Sequence, residues 1–308
     1  MSLIHSGKSY CLHLANGHGW NLVATNGTEQ WLSELASIME LKACELNGYP
    51  KLIFTNKELD NEAYKEPVYA LDMDIQKILP GNGWKSSENS KVIDMRLRFW
   101  YHDDVPDKVC YVKQDENYED SVMRMWGVTH LIYLREQISG GIPFHAGLVE
   151  LNGQGVLLAA PGGIGKSTCC RRILDPWHAI ADDQTLIVRD SQERYVIHPF
   201  PTWSNFRSRL PKKSWNVESH FPLSAIFFLQ QAQNDEVIRL ERGAAAMCIN
   251  QSSIQAYIAG LTTFDREERK VIQSKTFNNS CELAKVIPAY VLRVSLNGRF
   301  WEEIEKVF

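Results

Sequence analysis

The sequence predicts an α/β chain in two parts, a small α+β unit followed by a larger domain built round a phosphate-cradling loop. Three observations predict it. Val156 to Ala160 reads as a buried strand running into Pro161-Gly-Gly-Ile-Gly-Lys-Ser-Thr168 and then a helix with Ile173 and Leu174 on one side, the order in which such a loop holds phosphate. Asn152-Gly153 separates two apolar runs and marks a tight hairpin, because both central residues must reach positive φ. Short strand-like runs separated by Asn-, Gly-, Pro- and Asp-containing breaks occupy the first part, to about residue 115.

At 308 residues, 44% hydrophobic and 23% charged, the chain has the balance of a folded protein and the length of two ordinary domains. A net charge of -4 and a pI near 6.2 argue against a general partner among nucleic acids or anionic membranes, both of which favour a basic surface. The seven cysteines, at 11, 44, 110, 169, 170, 248 and 281, are scattered without paired C-x-x-C spacing, which fits a reduced cytoplasm. A start of Met1-Ser-Leu-Ile-His-Ser-Gly-Lys lacks the pattern of a secretory signal, and no apolar run reaches about 18 residues. The expected location is cytoplasmic.

In the first part Tyr10 to Leu14 alternates, and Glu29 to Leu41 sets Trp31, Leu32, Leu35, Ile38 and Met39 near helical spacing. Strands are expected at Lys51 to Thr55, Val68 to Leu71, Val92 to Tyr101 and Val109 to Val112. The polar, acidic run Lys113 to Asp120 reads as the connection, giving units 1–118 and 119–308. A helix carrying Val122, Met125, Trp126, Leu131, Ile132 and Leu134 follows, then the hairpin of Phe144 to Leu151 and Gln154 to Ala160. Later come a buried strand at Leu223 to Leu229, helical stretches in Ala244 to Leu261, a strand at Ala289 to Leu296 and a short helix at Trp301 to Val307.

In the loop, Gly162, Gly163, Ile164, Gly165, Lys166, Ser167 and Thr168 would wrap a nucleotide's phosphates with backbone N–H groups. Lys166 would reach the terminal phosphates and the Ser167 hydroxyl would bind magnesium. The strict pattern has glycine where this chain has Ala160, which alanine tolerates at negative φ. Beyond the loop, Ala179-Ile-Ala-Asp182-Asp183 reads as a short strand ending in two acids. One would anchor magnesium while the other accepts a proton. Neighbours on a strand face opposite sides, so a solvated or turn-capping role for one of them stands beside this reading. His145, just before the hairpin strand, could approach the same phosphates, although a lone histidine is more often a packed or surface residue.

Phe144-His145-Ala-Gly147, Ala160-Pro-Gly-Gly-Ile-Gly-Lys-Ser-Thr168 and Ala181-Asp-Asp183 together resemble, in order and spacing, the catalytic domain of HPr kinase/phosphorylase over roughly residues 125 to 300. Relatives of that group include lasso-peptide kinases and the cassette proteins called ScmC, which the chain resembles along its whole length. The resemblance implies a P-loop domain of the HPr kinase/PEP carboxykinase superfamily with a mixed, partly antiparallel sheet. It also implies Lys166 on phosphate, Ser167 on magnesium, Asp183 as proton acceptor with Asp182 as its partner, and His145 in the active site; with Asp183 as the acceptor, Asp182 is the acid expected on magnesium. HPr kinases are hexamers, so the resemblance leaves room for a homo-oligomer.

Two departures matter. HPr kinases have His-Gly directly where this chain inserts Ala146, and their glutamate-containing signature after the double aspartate is missing. In its place stand His198-Pro-Phe-Pro-Thr-Trp-Ser204, Arg207, Arg209, Lys212 and Lys213. This segment reads either as a wall of the acceptor site with Trp203, Ser204, Arg207 and Arg209 as substrate contacts, or as a proline-stiffened loop with a solvated basic face. The expected function is transfer of the γ-phosphoryl of ATP, with Mg2+, to a hydroxyl, foremost serine, of a peptide or small protein in modified-peptide biosynthesis. The alternatives are a nucleotide-gated sensor in which residues 1 to about 115 recruit a peptide or partner enzyme, and a small-molecule kinase.

Overall fold

A computed structural model describes residues 8–25, 27–56, 84–86, 97–102, 104–113, 117–207, 213–261 and 266–308. The strand expected at Val68 to Leu71, and the part of Val92 to Tyr101 before Leu97, lie outside the described residues.

The chain is mixed α/β, with two mixed sheets and, among the described residues, seven helices. The first sheet comprises β1 (Ser9–His13), β2 (Gly19–Ala24), β3 (Lys42–Ala43), β4 (Lys51–Thr55), β5 (Lys85–Ser86), β6 (Arg98–Tyr101) and β7 (Lys108–Tyr111), in the order β3-β1-β2-β4-β7-β6-β5. β2, β4 and β7 run parallel and the outer pairs antiparallel. Helix α1 (Glu29–Ile38) buries Leu32, Leu35 and Ala36, as the sequence periodicity predicts. Helix α2 (Tyr118–Ile138) starts where the Asn117 side chain accepts from the Asp120 N–H, satisfying one of the first turn's free donors.

The second sheet holds β8 (Ile142–Phe144), β9 (Ala146–Leu151), β10 (Gln154–Ala159), β11 (His178–Ala181), β12 (Gln184–Arg189), β13 (Tyr195–Phe200) and β14 (Phe221–Gln231) in the order β11-β9-β10-β14-β13-β12-β8. β15 (Glu236–Arg239) joins β16 (Ala289–Val294), which joins β14. Only β10 and β16 lie parallel to β14. The hairpin is as expected, with Asn152 at φ 51 and Gly153 at φ 80. Along it Leu148, Leu157 and Ala159 face one core while Val149, Val156 and Leu158 face another, so the run is apolar because both faces are covered. The remaining helices are α3 (Lys166–Arg172), α4 (Trp203–Arg207), α5 (Arg242–Leu261), α6 (Arg266–Val286) and α7 (Phe300–Glu305).

The ends of this sheet's path meet through the chain itself. β8 continues through His145 into β9, and β11 continues through Asp182-Asp183 into β12. Two strands thus leave one half of the sheet and enter the other side by side.

Three readings need correction. The helix after the glycine loop ends at Arg172, so Ile173 and Leu174 lie beyond it; Ile173 is already extended (ψ 140) as the chain turns toward β11. The segment from His198 is not a loop: His198 to Phe200 complete β13, and Trp203 to Arg207 form α4. The cysteines are not all reduced, as a reduced compartment would have them, since Cys11 and Cys44 are joined as a disulfide with Cα atoms 5.8 Å apart.

One apolar cluster includes Leu22, Leu35 and Phe54 of the first part together with Ile132, Phe144, Ile187 and Phe206 of the second. Backbone bonds reinforce this continuity: Trp215 N–H donates to the Ile38 carbonyl (2.8 Å), and His198 Nε2 accepts from Ala15 N–H (3.1 Å). His198 Nδ1 lies 2.9 Å from the Val217 carbonyl, so the neutral ring serves as donor and acceptor at once. Burial pushes both His198 and His130 down from 6.5 to about 4. Both are neutral when folded, so stability is fully present above the unfolded value and falls with pH from 6.5 through 4. Each shift is worth about 3 kcal/mol. Thermal melts between pH 7 and 4 should show this loss, and a His198→Gln chain should show a smaller drop.

Candidate functional site

The site is built where the two sheet halves exchange strands. Phe144 pairs with Thr185, and Leu148 with Ala181, in one common antiparallel register. β11 reaches that register through an irregularity between Ala179 and Ala181, the kind of bulge that re-aims a strand. That register sets His145 opposite Gln184 and Asp183 opposite Ala146, so His145 and Asp183 are diagonal neighbours across the seam, His145 Nδ1 lying 3.3 Å from Asp183 Oδ1. The His145 N–H donates to the Ser252 carbonyl of α5 at 3.3 Å, which fixes the residue from behind. Beneath the pair, Tyr133 of α2 donates to Gln184 Oε1 (3.1 Å), tying the helix to the residue after Asp183.

β10 ends at Ala159 and delivers the glycine loop to the same place. Gly163 and Gly165 have φ of 82 and 122, and an added Cβ at either would meet open space, so backbone conformation and not crowding demands glycine there. Lys166, only 6% exposed, turns back into the loop and donates to the Ala160 carbonyl at 2.7 Å. Gln231, at the end of β14, holds the loop's tip by donating to the Ile164 carbonyl (3.1 Å). Gly162 and Gly163 are exposed, Ile164, Gly165 and Ser167 half-buried, and Thr168 exposed. Gly147 has a packing reason: an added Cβ would lie 2.4 Å from Cys170 Sγ, where α3 rests on β9.

The electrostatics couple these groups. Burial raises the Asp183 carboxyl above its ordinary 3.8, opposed by His145 and Lys166. Burial lowers the His145 imidazole, opposed by Asp183. Lys166 is lowered by burial, with Asp183 and Asp182 among the charges that oppose the shift. A carboxylate moved toward neutrality in this way is a better proton acceptor than an ordinary aspartate. Asp182 differs: its Oδ1 accepts from the Thr202 hydroxyl. Both acids lie past the end of β11, so strand alternation does not force one of them away from the site.

Of the residues expected at an acceptor wall, Trp203 is 3% exposed and packs on Phe206, which puts it in the core. Ser204 is exposed, the backbone of Arg207 ends α4, and Arg209 lies outside the described residues. Thr202, Tyr133, Gln184 and Gln231 were not legible as site residues. Thr202 alone left a trace, as a hydroxyl between Pro201 and Trp203 just after an apolar run. Among the described residues no three His, Cys, Asp or Glu side chains form a metal cluster. A magnesium ion held with a nucleotide needs only one or two protein oxygens besides phosphate and water, and Ser167 and Asp182 supply that donor type.

Residues 108–308 match the family model described as SynChlorMet cassette protein ScmC. The chain belongs to this family. The ScmC match contains His145, the glycine loop, Asp182-Asp183 and Thr202, and it begins on β7, so the likeness expected along the entire chain is shown from Lys108 onward. No curated protein matches the chain. Among the described residues of this ScmC-family chain no helix is long and apolar enough to cross a membrane.

Proposed function

We propose that this ScmC-family chain is an ATP-dependent kinase with an HPr kinase/PEP carboxykinase-like P-loop domain. It transfers the γ-phosphoryl to a hydroxyl, foremost serine, of a peptide or small protein. The observation that carries the reading is the meeting of the Lys166 loop with the His145–Asp183 pair, 3.3 Å apart, at one sheet seam. A sensor needs phosphate and metal contacts; a half-buried carboxylate of raised pKa beside a histidine adds a base. Loop N–H groups and Lys166 hold the triphosphate, Ser167 and Asp182 offer oxygens to magnesium, and Asp183 takes the acceptor's hydroxyl proton while His145 orients it. Bound magnesium would neutralise charge on the transferring phosphoryl group. The resemblance to kinases of peptide-modification clusters supports a peptide acceptor, and a reaction drawing on ATP supports a cytoplasmic location.

The test is incubation of the intact protein with γ-labelled ATP and magnesium, alone and with a peptide panel, followed by mass spectrometry. The expected product is a phosphorylated serine. Tight nucleotide binding without transfer or hydrolysis would overturn the kinase reading in favour of a nucleotide-gated module.

A further inference from the structure

Asp182 is offered to magnesium by a carboxylate, and a carboxylate can bind a metal through one oxygen or two. Here one oxygen is already engaged. The Thr202 hydroxyl donates to Asp182 Oδ1, and among the described residues no donor meets Oδ2, so Oδ2 is the oxygen offered to a metal. Thr202 is 3% exposed, so this is a built contact and not a solvent-facing encounter.

What holds Thr202 is equally specific. It precedes α4, whose first turn closes when Asn205 N–H donates to the Thr202 carbonyl at 3.0 Å. Trp203 and Phe206 of α4 are buried, with ring centroids 5.8 Å apart, and Phe206 meets Trp215 at 5.9 Å. Trp215 is in turn fixed by its bond to the Ile38 carbonyl at the end of α1. A series of tilted aromatic contacts, anchored by one backbone bond, thus links the N-terminal part of the chain to the helix that follows the threonine.

We infer that Thr202 is a positioning residue which directs Asp182 as a one-oxygen ligand for nucleotide-bound magnesium, with the aromatic contacts of α4 as its support. The inference rests on the kinase reading for the presence of Mg-ATP and adds a residue that touches neither metal nor substrate. Outer partners that orient a ligating carboxylate typically control 10- to 100-fold in metal affinity. The expected signature is therefore a defect in magnesium and not in the nucleotide itself.

The experiment is calorimetric titration of ATP into the intact protein at a series of magnesium concentrations, for wild type, Thr202→Val and Thr202→Ser. Near-UV circular dichroism serves as the check on folding. Valine keeps the shape and removes only the hydroxyl; it should raise the magnesium needed for half-maximal ATP affinity about 10- to 100-fold and leave magnesium-free ATP binding unchanged. Serine should restore the wild-type requirement. Should valine disturb the fold, Thr202→Ala makes the same deletion without the second methyl. A Thr202→Val chain with wild-type magnesium dependence, or one that loses ATP affinity equally with and without magnesium, would overturn the inference alone. A wild-type chain whose ATP binding ignores magnesium would overturn the reading on which it stands.

Discussion

Replacing Lys166 with alanine is expected to leave a folded chain whose phosphoryl transfer is lower by about 10^3-fold, the order seen when a single charge-stabilising group is removed from a dry site. The argument starts from burial. Lys166 is 6% exposed and its ammonium is disfavoured there, so its pKa is lowered. Keeping a cation in such a place costs stability, and the bond to the Ala160 carbonyl offsets part of that cost. Alanine removes both, and the net change in stability should be within about 1 kcal/mol. Function carries the whole effect if the ammonium is there for phosphate. Transfer of labelled phosphate measured beside thermal melting checks this, and a folded Lys166→Ala chain transferring at the wild-type rate would end the mechanism.

Asp183→Asn should separate activity from stability in the opposite sense to an ordinary structural mutation. The raised pKa means that the folded state holds the Asp183 proton more tightly than the unfolded chain does. Its contribution to stability is therefore greatest at low pH and declines as pH rises through the unfolded and then the folded value. At pH 7 the half-buried charge is a burden, and asparagine removes it while keeping an oxygen toward His145. Melting temperature should stay level or rise, while transfer falls by about 10^2- to 10^4-fold with the loss of the base. The wild-type rate should also fall at acid pH, with its midpoint above the ordinary 3.8 of an aspartate. That limb should vanish from the residual activity of Asp183→Asn. A lower melting temperature with unchanged transfer would make Asp183 a structural residue only.

The legible parts of this molecule were those where a residue type has few alternatives. Asn152-Gly153 could hardly be anything but a tight turn, and Gly163, Gly165 and Lys166 mark a loop whose conformation excludes most side chains. Paired acids at the end of an apolar run were conspicuous for the same reason. β13 was missed because Tyr195 to Phe200 are buried on both faces, which leaves no alternation to read. Helix α6 was missed for another cause: its buried residues are Ile272, Thr276, Ser280, Leu283 and Ala284, so hydroxyls interrupt its inward stripe at two of five positions. Thr276 meets Gln137 and Tyr257 there, partners that only the folded chain supplies. The Cys11–Cys44 bond depends on the pairing of β1 with β3, a neighbour relation that spacing does not reveal. Ala146, the insertion that set this chain apart from His-Gly, is the first residue of β9 and pairs with Ala159; it displaces Gly147 to the place where α3 needs room.

The exchange of strands at His145 and Asp182-Asp183 has a mechanical meaning. A catalytic pair mounted on two loops can drift independently of the body that carries it. This pair is wired in series with the sheet, each partner being the link between two hydrogen-bonded strands. Flexing between the sheet's halves bears on those links as well as on β14, which pairs with β10 on one side and β13 on the other, so in the proposed mechanism the separation that would govern proton transfer also registers how the halves sit.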